Sequence, residues 1–370
     1  MKIKIFAVLV CLFYSGLSTA ETLRVLNWSD YVDEELLDTF AQSRNVDIDY
    51  QMFDNEDEFI EMFFGDDQAW DVIVPSDNLL VFLISRKLLA PINPNTITEF
   101  DNLDPMVMNQ LTAKDPGNRY SIPYLWGTTG IGINHSVAPA NAQALVEQHG
   151  WGVVFEAEHR ALFKDCGIAA IYERDEIFAT ALSYLGYSIN TINEDELSQA
   201  SDIVAGLAAD VKYLHAARYI DDIAAGTICL AIGYSGDIIF ASYETEEEGT
   251  VTYHIPSQGT SVWFDVFAIP ANSKNKTRAL DFINFFTEAE NSAANSNYNA
   301  YPTPLLSSLE FIDEEILADP GIYPTQETMK NLEAFEVATS KSRRLKKKYW
   351  VQATCAGSGL CEVPIDIVGY

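Results

Sequence analysis

Four short stretches carry side chains whose types and spacing suit recognition of an organic cation. They are Trp28-Ser29-Asp30-Tyr31, Pro75-Ser76-Asp77, Tyr234-Ser235-Gly236-Asp237, and the run from Ser261 to Pro270 that holds Trp263 and Asp265 two residues apart. A carboxylate accepts charge-assisted hydrogen bonds from an ammonium group, and an aromatic face attracts the same charge through its quadrupole. Taken singly, each Ser-Asp or Gly-Asp reads as a helix N-cap and each Trp as a core residue. Taken together, the four stretches describe an aromatic and acidic box.

The elements that must position them alternate between β-rich and amphipathic runs. Strands are expected over 23–27, 46–53 and 71–75, with helices over 33–41 and 56–64 between them. A second set begins at Gly130, with strands over 131–134, 167–172, 211–214 and 228–232 and helices over 175–185, 195–209 and 219–225, plus a helical stretch reaching Lys164. Such alternation implies a mostly parallel sheet with right-handed crossovers. In open sheets of this kind ligands bind beyond the carboxyl ends of the strands, where three of the four stretches fall. Trp263 and Asp265, two apart on a strand, share one face. No Gly/Ser or charged linker divides the chain, so the two lobes must be joined by short strand-like crossings near Gly130 and His254.

Residues 1–20 read as a secretory signal peptide, with Lys2 and Lys4 ahead of an apolar run from Ile5 to Tyr14 and Ser18-Thr19-Ala20 before the cut. The run is too short to span a bilayer. The full chain of 370 residues carries 54 acidic against 23 basic side chains, a net charge of −31, which disfavours nucleic acid and anionic membranes as partners. Four cysteines remain after the leader, and an even count in an exported chain points to disulfides with three possible pairings. Cys355 and Cys361 flank a short Ala-Gly-Ser-Gly-Leu loop that they would close, leaving Cys166 to meet Cys229. No C-x-x-C or H-E-x-x-H spacing supports a zinc site. Enzyme signatures are missing too: Gly233-Tyr234-Ser235-Gly236 falls one glycine short of a nucleophile elbow, and no phosphate-binding loop or dinucleotide fingerprint is present. No cofactor and no catalytic residue is expected. The basic run Lys341 to Lys348 reads as a solvated face of a C-terminal helix, with docking onto the acidic body or a partner as the alternative.

From Leu23 to Trp350 the chain resembles the periplasmic polyamine-binding proteins of bacterial ABC transporters, the putrescine-binding and spermidine-binding group. The resemblance rests on NWSDY (27–31), WDVIVPS (70–76), YLWGTTGIGIN (124–134), DEIFATALSYLG (175–186), AIGYSGD (231–237), FDVFAIP (264–270) and the YPTP that begins at Tyr301. It implies an α/β, type II periplasmic-binding fold, two α/β lobes with a ligand cleft between them. Lobe 1 is expected to comprise 21–131 and 256–305, and lobe 2 132–255 and 306–370. It further implies a monomeric, periplasmic protein that delivers a polyamine to a permease of the inner membrane by hinge closure.

The family's binding positions fall on Trp28, Ser29, Asp30, Tyr31, Ser76, Glu176, Tyr234, Asp237, Trp263, Asp265 and Tyr301, with Glu176 and Asp265 as the ammonium anchors. Tyr234 stands where the family usually has Trp, and Cys166 and Cys229 fall where the putrescine-binding group has a disulfide. Ser29, Asp30, Asp237 and the apolar Phe335 match the putrescine pattern. Trp263 matches the spermidine type, and Glu173 lands where spermidine binders place an extra acid. Three residues apart at the start of a helix, Glu173 and Glu176 would share a face and bracket a third ammonium, unless Glu173 points to solvent from a loop. Putrescine with spermidine also bound is therefore the expected specificity. A receptor for an amino acid is the rival reading, and it would need an arginine clamp for the carboxylate, which none of these positions supplies.

Overall fold

The computed structural model describes residues 21–65, 69–245, 247 and 249–357. The expected leader at 1–20 lies outside the described residues, as does Cys361 and with it the expected Cys355–Cys361 bridge. No helix among the described residues is long and apolar enough to cross a membrane.

Among the described residues ten strands run in chain order β1 (Glu21–Trp28), β2 (Val46–Phe53), β3 (Val72–Ile73), β4 (Ser121–Asn134), β5 (Ile168–Ala170), β6 (Tyr213–Leu214), β7 (Leu230–Tyr234), β8 (Val251–His254), β9 (Thr260–Ala268) and β10 (Leu332–Ala334). They hydrogen-bond in the order β2-β1-β3-β9-β4-β7-β5-β6, with β10 on β9 and β8 on β4. At one end β1 pairs in parallel with β2 and β3; at the other, β5 pairs in parallel with β6 and β7. These are the two α/β units that the alternation requires.

The middle of the order differs from the expectation. β4 was expected only over 131–134, yet it extends for 14 residues and is buried throughout. Residues 121–128 pair antiparallel with β9 in one unit, and residues 129–134 pair antiparallel with β7 and β8 in the other. A strand covered on both faces shows no polar alternation, and its three glycines lower its apparent strand character.

Each unit has its own core. In the first, β1 sends Leu23 and Val25 to a cluster with Phe40, Phe267 and Phe282, and Leu26 to the opposite face among Phe59, Trp70, Leu80 and Val266. That split follows from the two-residue period of a strand. The second unit is built around Trp151, Phe178, Ile232 and Trp350, the last from the C-terminal helix Ser340–Gly357. Cys166 and Cys229 are joined across 63 residues of sequence. A loop of that length constrains the unfolded chain by about 4 kcal/mol in the chain-entropy picture.

The basic run divides between the two readings: Lys341, Arg344 and Lys348 are exposed, as a solvated face requires, while Lys346 docks onto the acidic body. Lys348 Nζ lies 3.0 Å from Glu194, and Lys346 is only 6% exposed. Lys346 shares its helix face with the buried Tyr349, Trp350 and Ala353, at i+3, i+4 and i+7, so the helix lays a charged residue against the acidic body.

Candidate ligand-binding cleft

β1 ends at Trp28 and the chain turns sharply. Ser29 N–H donates to the Phe53 carbonyl at 3.1 Å, and Asp30 adopts a left-handed backbone (φ 55°), which Asp tolerates better than most side chains. The turn returns Tyr31 to the interior, where its carbonyl accepts from Tyr124 Oη (2.7 Å) and Asn299 Nδ2 (3.1 Å). Its own hydroxyl donates to Asp265 Oδ2 at 2.7 Å. Ser76 caps the helix Asp77–Ser85 by accepting from Leu79 N–H at 3.2 Å, and its hydroxyl also donates to Glu56.

From the other unit, Glu176 sits in the first turn of the helix Arg174–Leu185 and accepts from Thr129 Oγ1 at 2.7 Å and from Ser261. Glu173 immediately precedes that helix and faces the cleft rather than bulk solvent. Tyr234 ends β7, and Asp237 lies in the following helix Ser235–Tyr243, accepting from Tyr219 and from Tyr301 Oη at 2.7 Å.

All twelve expected ligand-binding residues line one cavity of about 180 Å³. Trp28, Tyr31, Tyr234, Trp263 and Tyr301 form its aromatic wall; Tyr31 and Tyr301 ring centroids are 5.0 Å apart, and Tyr234 and Trp263 5.3 Å. Two glycines let this wall seat against backbone: a Cβ at Gly127 would lie 2.5 Å from the Trp263 ring, and one at Gly236 2.2 Å from the Tyr301 ring.

The cavity also holds residues outside the expected binding set, chiefly Phe53, Asp54, Glu56 and Asp175, together with Asp77 of the Pro75-Ser76-Asp77 stretch. Asp54 and Glu56 follow the end of β2 beside β1, so the strand-end rule applied to the first strand would have found them. Asp77 and Asp175 are neutralised by ion pairs with Lys114 (2.6 Å) and Arg174 (3.2 Å). The other seven lining carboxylates, Asp30, Asp54, Glu56, Glu173, Glu176, Asp237 and Asp265, have no Lys or Arg within ion-pair distance among the described residues, and no basic side chain lines the cavity.

Burial raises six of these carboxyls and like-charge neighbours raise them further. Glu176 is pushed up to about 7 and Asp237 to about 6, while Glu173 and Asp265 rise well above the usual carboxylate range. The mutual repulsion sorts them into groups. Glu173 feels Glu56 and Glu176, whereas Asp237 feels Asp30 and Asp54. Each group draws on both units, so the cleft presents negative charge in two places with aromatic rings between.

A carboxyl raised in the folded state favours the unliganded protein at low pH. That contribution is complete below the unfolded range near pH 4 and is lost as pH rises through about 6 for Asp237 and about 7 for Glu176. A bound cation would reverse the preference by holding both groups ionised. Cation affinity is therefore expected to rise by up to about a hundredfold per pH unit near pH 5, where both groups must lose a proton, by about tenfold per unit or less between pH 6 and 7, and to level off near pH 8, with protons released on binding. Titrations at those pH values, in buffers of different ionisation enthalpy, would check this; a flat profile would contradict it.

Comparison with known proteins places this geometry. Residues 35–325 match the family described as bacterial extracellular solute-binding protein. The chain is 34% identical over 335 residues to the putrescine-binding periplasmic protein SpuD of Pseudomonas aeruginosa, covering 90% of this chain and 91% of that one. It is 30% identical over 336 residues to the putrescine-binding periplasmic protein PotF of Escherichia coli, covering 90% and 91%. Among solved structures, the spermidine/putrescine ABC transporter substrate-binding protein PotD of Streptococcus pneumoniae superposes with a TM-score of 0.76 at 29% identity, covering 90% of this chain and 98% of that one. The fold is thus that of the two-lobed binding proteins, and the chain belongs to the bacterial extracellular solute-binding protein family.

Proposed function

We propose that the protein captures linear polyamines in the periplasm, putrescine as a good ligand with spermidine also bound, and delivers them to an ABC permease of the inner membrane. It is a binding protein and not an enzyme. The observation that carries the ligand class is the set of seven carboxylates without basic partners in an aromatic-walled cleft. A diamine places a charge at each end and methylenes between, which matches two acidic groups separated by rings. Each charge-assisted hydrogen bond contributes about 1.5 to 3 kcal/mol, and each cation–π contact about 0.5 to 2 kcal/mol. Two anchored ends together with burial of the methylene chain, about 0.8 kcal/mol per CH2, supply the roughly −8 kcal/mol of micromolar binding after association costs. An amino acid would bring a carboxylate into this cleft and find no cation to receive it.

Closure follows from the same charges. Because each acidic group draws on both lobes, bringing the lobes together without a cation compresses like charges, and a polyamine relieves that repulsion. The ligand therefore favours the closed state by its differential affinity. In this reading the lobes are 21–131 with 256–305 and 132–255 with 306–370, and the closed monomer is the form a permease engages.

Glu173 tests the mixed specificity. Glu173→Ala is expected to weaken spermidine by about tenfold and putrescine by less, since only the longer cation has a charge to lose there. Calorimetric titration of both ligands reads the difference. Equal losses, or none, would return the cleft to a plain putrescine type.

A further inference from the structure

We propose that Lys346, which does not line the cavity, sets the preference between diamine and triamine by acting as a built-in cation behind its wall. The inference rests on the polyamine reading above. Lys346 occupies a core-facing position of the C-terminal helix, where lysine is almost never buried unless paired. Its Nζ lies 3.5 Å from Asp175 Oδ1 and 5.1 Å from the centre of the Phe335 ring. Asp175 and Phe335 both line the cavity, beside Glu173 and Glu176. The protein's own ammonium thus already occupies an aromatic face and a carboxylate at the place where a third ligand ammonium would otherwise find them.

The charge count at this place explains the consequence. Five carboxylates gather here, Glu56, Asp57, Glu173, Asp175 and Glu176, against two cations, Arg174 and Lys346. Lys346 also acts on Glu176, favouring its ionised form. Removing the lysine charge deepens the negative field without altering any cavity-lining side chain. A triamine, which carries its additional charge at Glu173 in this reading, gains more from that than a diamine does. Lys346 is thus a positioning residue for charge, and a merely structural role in anchoring the helix would weaken both ligands alike.

The test compares dissociation constants of putrescine and spermidine for the full-length mature protein and its variants. Lys346→Met should raise spermidine affinity relative to putrescine by about tenfold, while Lys346→Arg, which keeps the charge, should leave the ratio within about twofold of wild type. Adding Asp175→Asn to Lys346→Met restores the wild-type charge count and should cancel the gain. Lys346→Gln, which also removes the charge but keeps a polar end, should shift the ratio as Lys346→Met does, and it remains decisive if Lys346→Met does not fold. An unchanged ratio in Lys346→Met or in Lys346→Gln, or the same shift in Lys346→Arg as in Lys346→Met, would overturn the inference. Wild-type protein that bound neither polyamine would instead defeat the polyamine reading on which it rests.

Discussion

Asp265→Asn is expected to weaken putrescine binding by at least tenfold, and by about a hundredfold if the facing ammonium stays buried without a counter-charge. The carboxylate is 5% exposed, has no cationic partner among the described residues, and accepts the Tyr31 hydroxyl at 2.7 Å. The amide keeps shape and an acceptor for Tyr31 but removes the charge. Truncating one partner of a buried charge pair costs about 2 to 5 kcal/mol, much of it the penalty on the group left behind. The unliganded protein should respond in the opposite sense. Asp265 is raised well above its usual range, first by burial and then by Asp77 and Glu56, so an uncharged group there relieves strain in the empty cleft. A higher melting temperature without ligand, together with weaker binding, is the expected signature. Unchanged affinity would remove Asp265 from the site.

Gly236→Ala should also damage binding severely, although nothing about the substitution is polar. Gly236 lies in the first turn of the helix Ser235–Tyr243, where alanine would ordinarily add about 1 kcal/mol of helix stability. Here the added Cβ would lie 2.2 Å from the Tyr301 ring. Tyr301 is 3% exposed and cannot swing into open space, so the ring or the helix must move. Overpacking of this kind costs about 1 to 3 kcal/mol. The displaced ring also loses its 2.7 Å bond to Asp237 and its place against Tyr31 and Trp263. Lower thermal stability with at least tenfold weaker putrescine binding is expected; a stabilised protein with wild-type affinity would show that the aromatic wall is not needed.

Much of the cleft was legible because its side chains sit at strand ends in compact motifs such as Trp28-Ser29-Asp30-Tyr31, where short polar residues after an apolar run have few other uses. Asp54 and Glu56 directly follow the expected strand over 46–53, within reach of the same strand-end reasoning, but that they share a cleft with Trp28 depends on β2 lying beside β1. The full length of β4 escaped because burial on both faces erases the alternation by which strands are recognised. Lys346 escaped for a different reason. Its spacing to Tyr349, Trp350 and Ala353 marks the buried face of an amphipathic helix, but a run of six basic residues reads as solvated until its partner, Asp175, is seen across the interface. The orientation of Glu173 could be framed as two alternatives from spacing alone, and the structure turns it toward the cleft.

The central claim is that carboxylates without basic partners in an aromatic cleft make this a receptor for linear polyamines. Calorimetric titration of the unliganded protein at pH 8 with putrescine, spermidine, agmatine and a neutral amino acid tests it most directly. The account predicts saturable binding of putrescine and spermidine at micromolar or tighter affinity and no detectable binding of the amino acid. Tight binding of the amino acid with no heat from either polyamine would contradict it.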